Sequence, residues 1–180
     1  MDLLERIAST QFLGSEFLTW LWYQEELNEG QFQLEGELGA IELFFEDKLT
    51  MGSTEIDEQQ DSFKGGKPTR SLEARSALKL GKMAISAKVR VIQGDQEWQC
   101  TIKAEPLMMS GIKLPEILTK DPQSQFFERM FLLEHLDRIY RNLYKQFLQI
   151  RLSKNWKDEY LLEIQDWVAG RQELEDVTHS

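Results

Sequence analysis

The feature that most constrains this chain is a pair of mutually complementary strands near its middle. Residues 84–92 and 96–104 alternate apolar and polar side chains. They flank Gly94-Asp95, a two-residue turn of the kind that closes a hairpin. Pairing Gln93 with Gln96 sets Val91 against Trp98, Val89 against Cys100 and Ala87 against Ile102. The same register sets Arg90 against Gln99, Lys88 against Thr101 and Ser86 against Lys103. One face is then apolar and the other basic and polar, and a slip of one residue would exchange them.

Elements on either side of the hairpin are mostly helical. Leu13, Phe17, Leu18, Leu21 and Trp22 recur at three- and four-residue spacings, which predicts an N-terminal helix ending at Asn28-Glu29-Gly30. Phe32 and Leu34, then Ile41, Leu43 and Phe45, alternate with polar residues as half-buried strands, and a further short strand is expected from Leu49 to Ile56. Residues 59–69 read as a loop by composition. Ser71 opens a short helix that Gly81 closes, and an extended piece follows Pro106. Asp121-Pro122 is a cap followed by a first-turn proline. The stripe Phe127, Met130, Phe131, Leu133, Leu136, Ile139, Tyr140, Leu143, Phe147 and Ile150 then predicts a long helix. A last helix is expected at 158–168, anchored by Leu161, Leu162, Ile164 and Trp167, ahead of an acidic tail. The fold class is α+β: a small antiparallel sheet with a hairpin, packed by an N-terminal helix and a long C-terminal helix. The expected organisation is one domain over residues 1–155, with 156–180 as terminal helix and tail.

Several functions are excluded or disfavoured by composition. With 180 residues and 41% hydrophobic side chains, the chain can bury a sizeable core. It contains no apolar run long enough to span a bilayer. Met1-Asp2-Leu3-Leu4-Glu5 is acidic where an export signal is basic, and the single Cys100 cannot form an internal disulfide. A cytoplasmic protein is therefore expected. Two histidines and one cysteine leave little material for a transition-metal site, and no cofactor or small-molecule substrate is implied.

The net charge of −10 is unevenly distributed. Residues 1–62 hold two basic against fifteen acidic groups, a local charge of −13. Residues 63–115 carry +6 and residues 116–180 carry −3. An acidic total argues against a chain that coats nucleic acid with its whole surface, yet leaves room for one basic face, because phosphate contacts are local. The candidate residues are Lys88 and Arg90, about 6.7 Å apart along one strand, and Lys103 across the hairpin. Lys79 and Lys82 at the end of the preceding helix, and Lys113 beyond the hairpin, complete the set. Flexible cations on a rigid sheet suit sequence-independent contact with a phosphate backbone. The competing reading is that a half-exposed sheet is simply polar on its outside.

Other motifs carry less. The pairs Gly66-Lys67 and Gly81-Lys82 lack the glycine spacing and following hydroxyl of a phosphate-binding P-loop. Glu46-Asp47-Lys48 has the Glu-x-Lys of a metal-dependent nuclease, but no well-placed second carboxylate. Cys100 lies on the apolar hairpin face as a small core residue, and His135 has no serine or cysteine placed to use it. Trp20, Trp22, Phe126, Phe127 and Phe131 read as core or dimer contacts rather than base-stacking platforms.

The order of several short motifs resembles the C-terminal half of RdgC, a family of bacterial recombination-associated DNA-binding proteins. Phe17-Leu18-Thr19-Trp20-Leu21-Trp22 followed by Gly30-Gln31-Phe32-Gln33-Leu34 is similar to that family's helix and strand. Ala77-Leu78-Lys79-Leu80-Gly81-Lys82-Met83 leads into the hairpin, residues 107–114 match a lysine-bearing stretch, and 125–148 resemble its phenylalanine-rich helix. The resemblance spans about residues 15–150. It implies a cytoplasmic, nucleoid-associated protein whose dimeric rings bind double-stranded DNA without sequence preference and limit access of RecA. Lys82 and Lys113 are the positions it carries over. No counterpart of the family's N-terminal half is present, so a ring is expected to need a companion chain. The leading expectation is thus a non-enzymatic duplex-DNA-binding module, as a homodimer or with a companion. The alternatives are an acidic interaction protein that does not bind DNA, and a nuclease using Glu46 and Lys48.

Overall fold

A computed structural model describes residues 3–52, 60–104 and 106–170. Helix α1 (Leu3–Leu27) leads through a tight turn to β1 (Gln31–Gln33), a 3-10 turn at Gly36–Leu38 and β2 (Ala40–Gly52). Strand β3 (Asp61–Lys64), a second 3-10 turn at Pro68–Arg70 and α2 (Leu72–Lys79) precede the hairpin β4 (Met83–Gln93) and β5 (Gln96–Ala104). Then come β6 (Leu107–Lys113), α3 (Pro122–Arg151), a π-turn at Trp156–Tyr160 and α4 (Leu161–Ala169).

The six strands form one antiparallel sheet in the order β1-β2-β4-β5-β6, with β3 paired to β2. The fold is α+β, as the periodicities predict. The hairpin adopts the expected register throughout, from Ser86 opposite Lys103 to Gln93 opposite Gln96. Its inward side chains Ala87, Val89, Val91, Trp98, Cys100 and Ile102 are buried, so the alternation was set by the core face. Helix α1 crosses this face with Phe17, Leu18, Leu21 and Trp22 buried against it. Helix α3 packs alongside: Tyr140 and Tyr144 meet the Phe17 ring edge-on at 5.9 and 5.2 Å. Trp98 Nε1 donates to the Leu132 carbonyl at 3.1 Å, fixing α3 to the sheet.

Both capping expectations are met. The Ser71 hydroxyl accepts from Ala74 N, and the Asp121 carboxylate accepts from Gln123 N and Ser124 N. Four readings change. Residues 61–64, expected in a loop, form β3 against β2, because Phe63 gains partial burial and the edge of β2 needs hydrogen-bond partners. The strand expected at 49–56 is the far half of β2, and its end at Ile56 lies outside the described residues. In α3, burial begins at Leu132 and continues through Leu136, Ile139, Leu143 and Phe147, while Phe127, Met130 and Phe131 stay exposed. The final helix is held by Trp167, packed edge-on against Trp22 at 5.3 Å, whereas Leu162 faces solvent. The acidic tail from residue 171 and the side chain of Leu13 lie outside the described residues.

One close approach fixes how α1 lies on the sheet. A Cβ at Gly14 would stand 2.3 Å from the carbonyl oxygen of Ala104. Gly14→Ala must therefore push α1 away from β5, and we expect a loss of about 1–3 kcal/mol in denaturant-induced unfolding. Wild-type stability in that variant would refute the contact.

Candidate nucleic-acid interface and the adjoining cleft

Strand β4 presents Ser86, Lys88 and Arg90 on the side away from α1, and β5 presents Gln99, Thr101 and Lys103 beside them. Lys113 on β6 stands opposite Gln99 in the ladder and so joins the same outer face. Four of the six candidate cations, Lys88, Arg90, Lys103 and Lys113, are thereby brought together. Lys82, just before β4, pairs with Asp61 of β3. Lys79, at the end of α2, lines a cleft elsewhere.

The sequence does not disclose what opposes these cations. Strand β2 lies next to β4, and its ladder is irregular between Phe45 and Leu49. Glu46, Asp47 and Lys48 occupy the stretch where a regular ladder would set one residue against Lys88. This bulge keeps Phe45 and Leu49 both in the core and delivers two carboxylates to the basic strand. Asp47 pairs with Lys88 at 2.9 Å and Glu46 with Arg90 at 2.7 Å, while Glu97 lies 3.7 Å from Arg90. The hydrogen bond from Lys88, and its charge, hold the Asp47 carboxyl below the ordinary carboxylate range. Arg90 also lies over the Phe44 ring at 5.5 Å. Among the described residues, Lys103 and Lys113 carry no ion pair.

Three further carboxylates of the acidic first third are matched in the same way. Glu16 pairs with Arg151, Glu26 with Arg75 and Glu35 with Lys145. Glu46 is engaged by Arg90, and no group of three His, Cys, Asp or Glu that could hold a metal occurs among the described residues. Cys100 is buried, which pushes its thiol up to about 11. His135 stacks on Phe131 and contacts the Gln93 side-chain oxygen at 2.6 Å through Nε2. Burial, and then the Arg138 charge, lower its pKa.

A cleft of about 660 Å³ opens beside β2, between the C-terminal end of α1, the 65–70 loop, α2 and the end of α4. Its floor is ordered by Glu26. That carboxylate accepts from Trp22 Nε1 at 2.9 Å, from Trp167 Nε1 at 2.8 Å and from the Arg75 guanidinium. Arg75 in turn lies over the Trp167 ring at 5.5 Å. The turn at Glu29-Gly30 forms part of the wall. Both residues have positive φ, and a Cβ at Gly30 would stand 2.3 Å from the Phe44 ring. The 65–70 loop is fixed by a hydrogen bond from Gly65 N to Asp47 O and a turn from Arg70 N to Lys67 O. It presents Lys67 and Arg70, both exposed, to the cleft. Sequence reading missed this site because its members come from four separate segments, at 25–29, 44, 67–79 and 168–170. The local signals were Glu25-Glu26 at a helix end and the Gly66-Lys67 pair.

No protein-family model, curated protein or solved structure matches this chain. The likeness to RdgC thus rests on the order of its motifs alone. No helix among the described residues is long and apolar enough to cross a membrane.

Glu25 lines the cleft beside the satisfied Glu26 and has no such set of donors. Burial, reinforced by the Glu26 charge and opposed by Lys67 and Arg70, raises its pKa from the ordinary 4.5 to about 7. The folded chain thus holds a proton that the unfolded chain has released across this window, so stability falls as pH rises through it. Glu25→Gln should abolish this slope. It should stabilise the protein by about 1–2 kcal/mol near pH 8, a figure reduced for partial solvent exposure, and leave stability near pH 4 unchanged. Parallel pH–stability curves for the two proteins would contradict it.

Proposed function

We propose that this chain is a non-enzymatic assembly module that pairs with a second copy of itself through the N-terminal end of α3. The observation that carries this reading is the aromatic surface there. Phe126, Phe127, Met130 and Phe131 are between 51% and 62% exposed, and Leu118 beside them is 78% exposed. Phe126 and Phe127 contact one another edge-on at 5.7 Å. The segment leading into the helix is tied down by Glu128, whose carboxylate accepts from Leu118 N and Thr119 N, so the patch is presented on an ordered frame.

The exposed apolar area is on the order of 600 Å² per copy, at the top of what monomers tolerate. Two such patches meeting face to face would bury roughly 1,200 Å², the lower end of specific interfaces, so a weak dimer is expected. The acidic first third is a poorer docking surface, because six of its carboxylates already pair within the chain. Sedimentation equilibrium should show a monomer–dimer equilibrium in the micromolar range for the full chain. It should show monomer alone for Phe127→Asp/Phe131→Asp with an unchanged melting curve. A wild-type protein that stays monomeric at about 100 μM would overturn the reading, since that corresponds to less than roughly 5.5 kcal/mol of association.

Duplex-DNA contact, the function implied by the RdgC resemblance, is favoured by one observation. Lys103 and Lys113 form no salt bridge among the described residues, Lys113 acting on Asp47 only through space, and both share the outer sheet face with Lys88 and Arg90. With two cations per copy outside salt bridges, the logarithm of affinity should fall against the logarithm of salt with a slope of about −2 per copy. Glu46→Gln/Asp47→Asn would release Lys88 and Arg90, steepening the slope towards about −4 per copy and strengthening binding at low salt. No binding by either protein at low salt would eliminate this surface.

A further inference from the structure

We infer that the cleft between α1, α2 and the 65–70 loop binds a small dianionic ligand of phosphate-ester chemistry, with Lys67, Arg70 and Lys79 as its counter-charges. This is independent of the dimer reading and departs from the sequence expectation that no small molecule binds. The cleft joins three exposed cations drawn from two elements. None of the three forms a salt bridge among the described residues, and the charges of Lys67 and Arg70 act on Glu25 only through space, in a chain whose formal charge is −10. Lys82, Lys88, Arg90, Lys145 and Arg151 are each held by a carboxylate, whereas these three are gathered at one concavity. Exposed cations gathered beside a concavity suit recognition of a phosphoryl group, and the guanidinium of Arg70 adds a planar two-point donor.

The volume, about 660 Å³, lies in the range of small-molecule sites and far exceeds one phosphate group. Phe44, Leu72 and Val168 supply apolar wall for the remainder of an ester. At the base of the site Arg75 is already engaged, paired with Glu26 and lying over the Trp167 ring. Binding is therefore assigned to the exposed cations.

Glu25 adds a pH signature. The charged groups facing it are Glu26 on its own helix, Lys67 and Arg70 from the loop, Arg75 and Lys79 from α2, and Glu29 at the turn. From α4 the lining residues are Val168 and Gly170, which do not titrate. A protonated Glu25 can donate a hydrogen bond to a ligand oxygen, whereas its carboxylate repels a dianion. Ligand and proton should therefore bind together, and affinity should fall as pH rises through about 7.

The test uses inorganic sulfate, which remains a dianion over this range, titrated calorimetrically into the full chain. Saturable one-to-one binding in the millimolar range is expected near pH 6, weakening about tenfold by pH 8.5. Glu25→Gln should bind equally at both. Arg70→Glu/Lys79→Glu should lose at least tenfold in affinity. Lys67→Ala/Lys79→Ala serves as a milder second variant should the charge reversal disturb folding. The inference fails if neither sulfate nor pyrophosphate saturates by about 20 mM near pH 6. It fails equally if a folded cation variant binds as tightly as wild type.

Discussion

Strand β4 is the constraint from which the remaining structure is registered. It is the strand to which β2 and β5 both pair, and its inward side chains set how closely a helix can approach. Ala84 and Ala87 are small, so α1 can lie low across the sheet, with Gly14 against the Ala104 carbonyl and Thr19 within reach of the Ala84 amide. The larger Val89, Val91 and Trp98 fill the space nearer the hairpin turn, where Leu132 begins the buried stripe of α3. Small residues at one end and bulky ones at the other thus decide which helix covers which part of the sheet.

The same strand explains why the segregated charge of the sequence does not survive folding. A −13 segment followed by a +6 segment suggests a dipolar molecule with one cationic face. Because β2 and β4 are neighbours in the sheet, their charges interleave instead, through the bulge at Glu46–Lys48. Partly exposed pairs of this kind add little stability, roughly 0–1 kcal/mol each. Their larger effect is on the surface potential. A polyanion approaching this face meets Lys103 and Lys113, and must displace Asp47 and Glu46 to engage Lys88 and Arg90.

What the sequence disclosed was local. The hairpin register follows from a two-residue turn and an alternation that cannot slip, and the caps at Ser71 and Asp121 are read within three residues of themselves. Edge strand β3 was not legible because it has one apolar residue, Phe63, in a polar, glycine-flanked run. The exposed start of α3 was concealed for the opposite reason. Phe127, Met130 and Phe131 continue the buried stripe in phase, and periodicity cannot tell where cover ends. Four of the six proposed cations did reach one face. Lys82 and Lys79 did not, since the residues between helix and strand turn the first towards β3 and the second towards the cleft.

The cleft sets two adjacent carboxylates in opposite situations, and the contrast follows from helix geometry. Consecutive residues on α1 point about 100° apart. Glu26 therefore turns towards Trp22 one turn behind it and the incoming Arg75 and Trp167, which approach from 49 and 141 residues away. Three donors on one carboxylate compensate its burial and join α1, α2 and α4 at a single point. Glu25 is removed from water by the same convergence without receiving those donors, and the negative charge of Glu26 adds to its difficulty. Lys67 and Arg70 offset this only through space. The network that fastens the helices together is thus the physical origin of the titrating group beside it. A chain assembled around a satisfied Glu26 acquires, one residue away, a carboxyl that is half protonated near neutral pH and borders the cation-lined cleft.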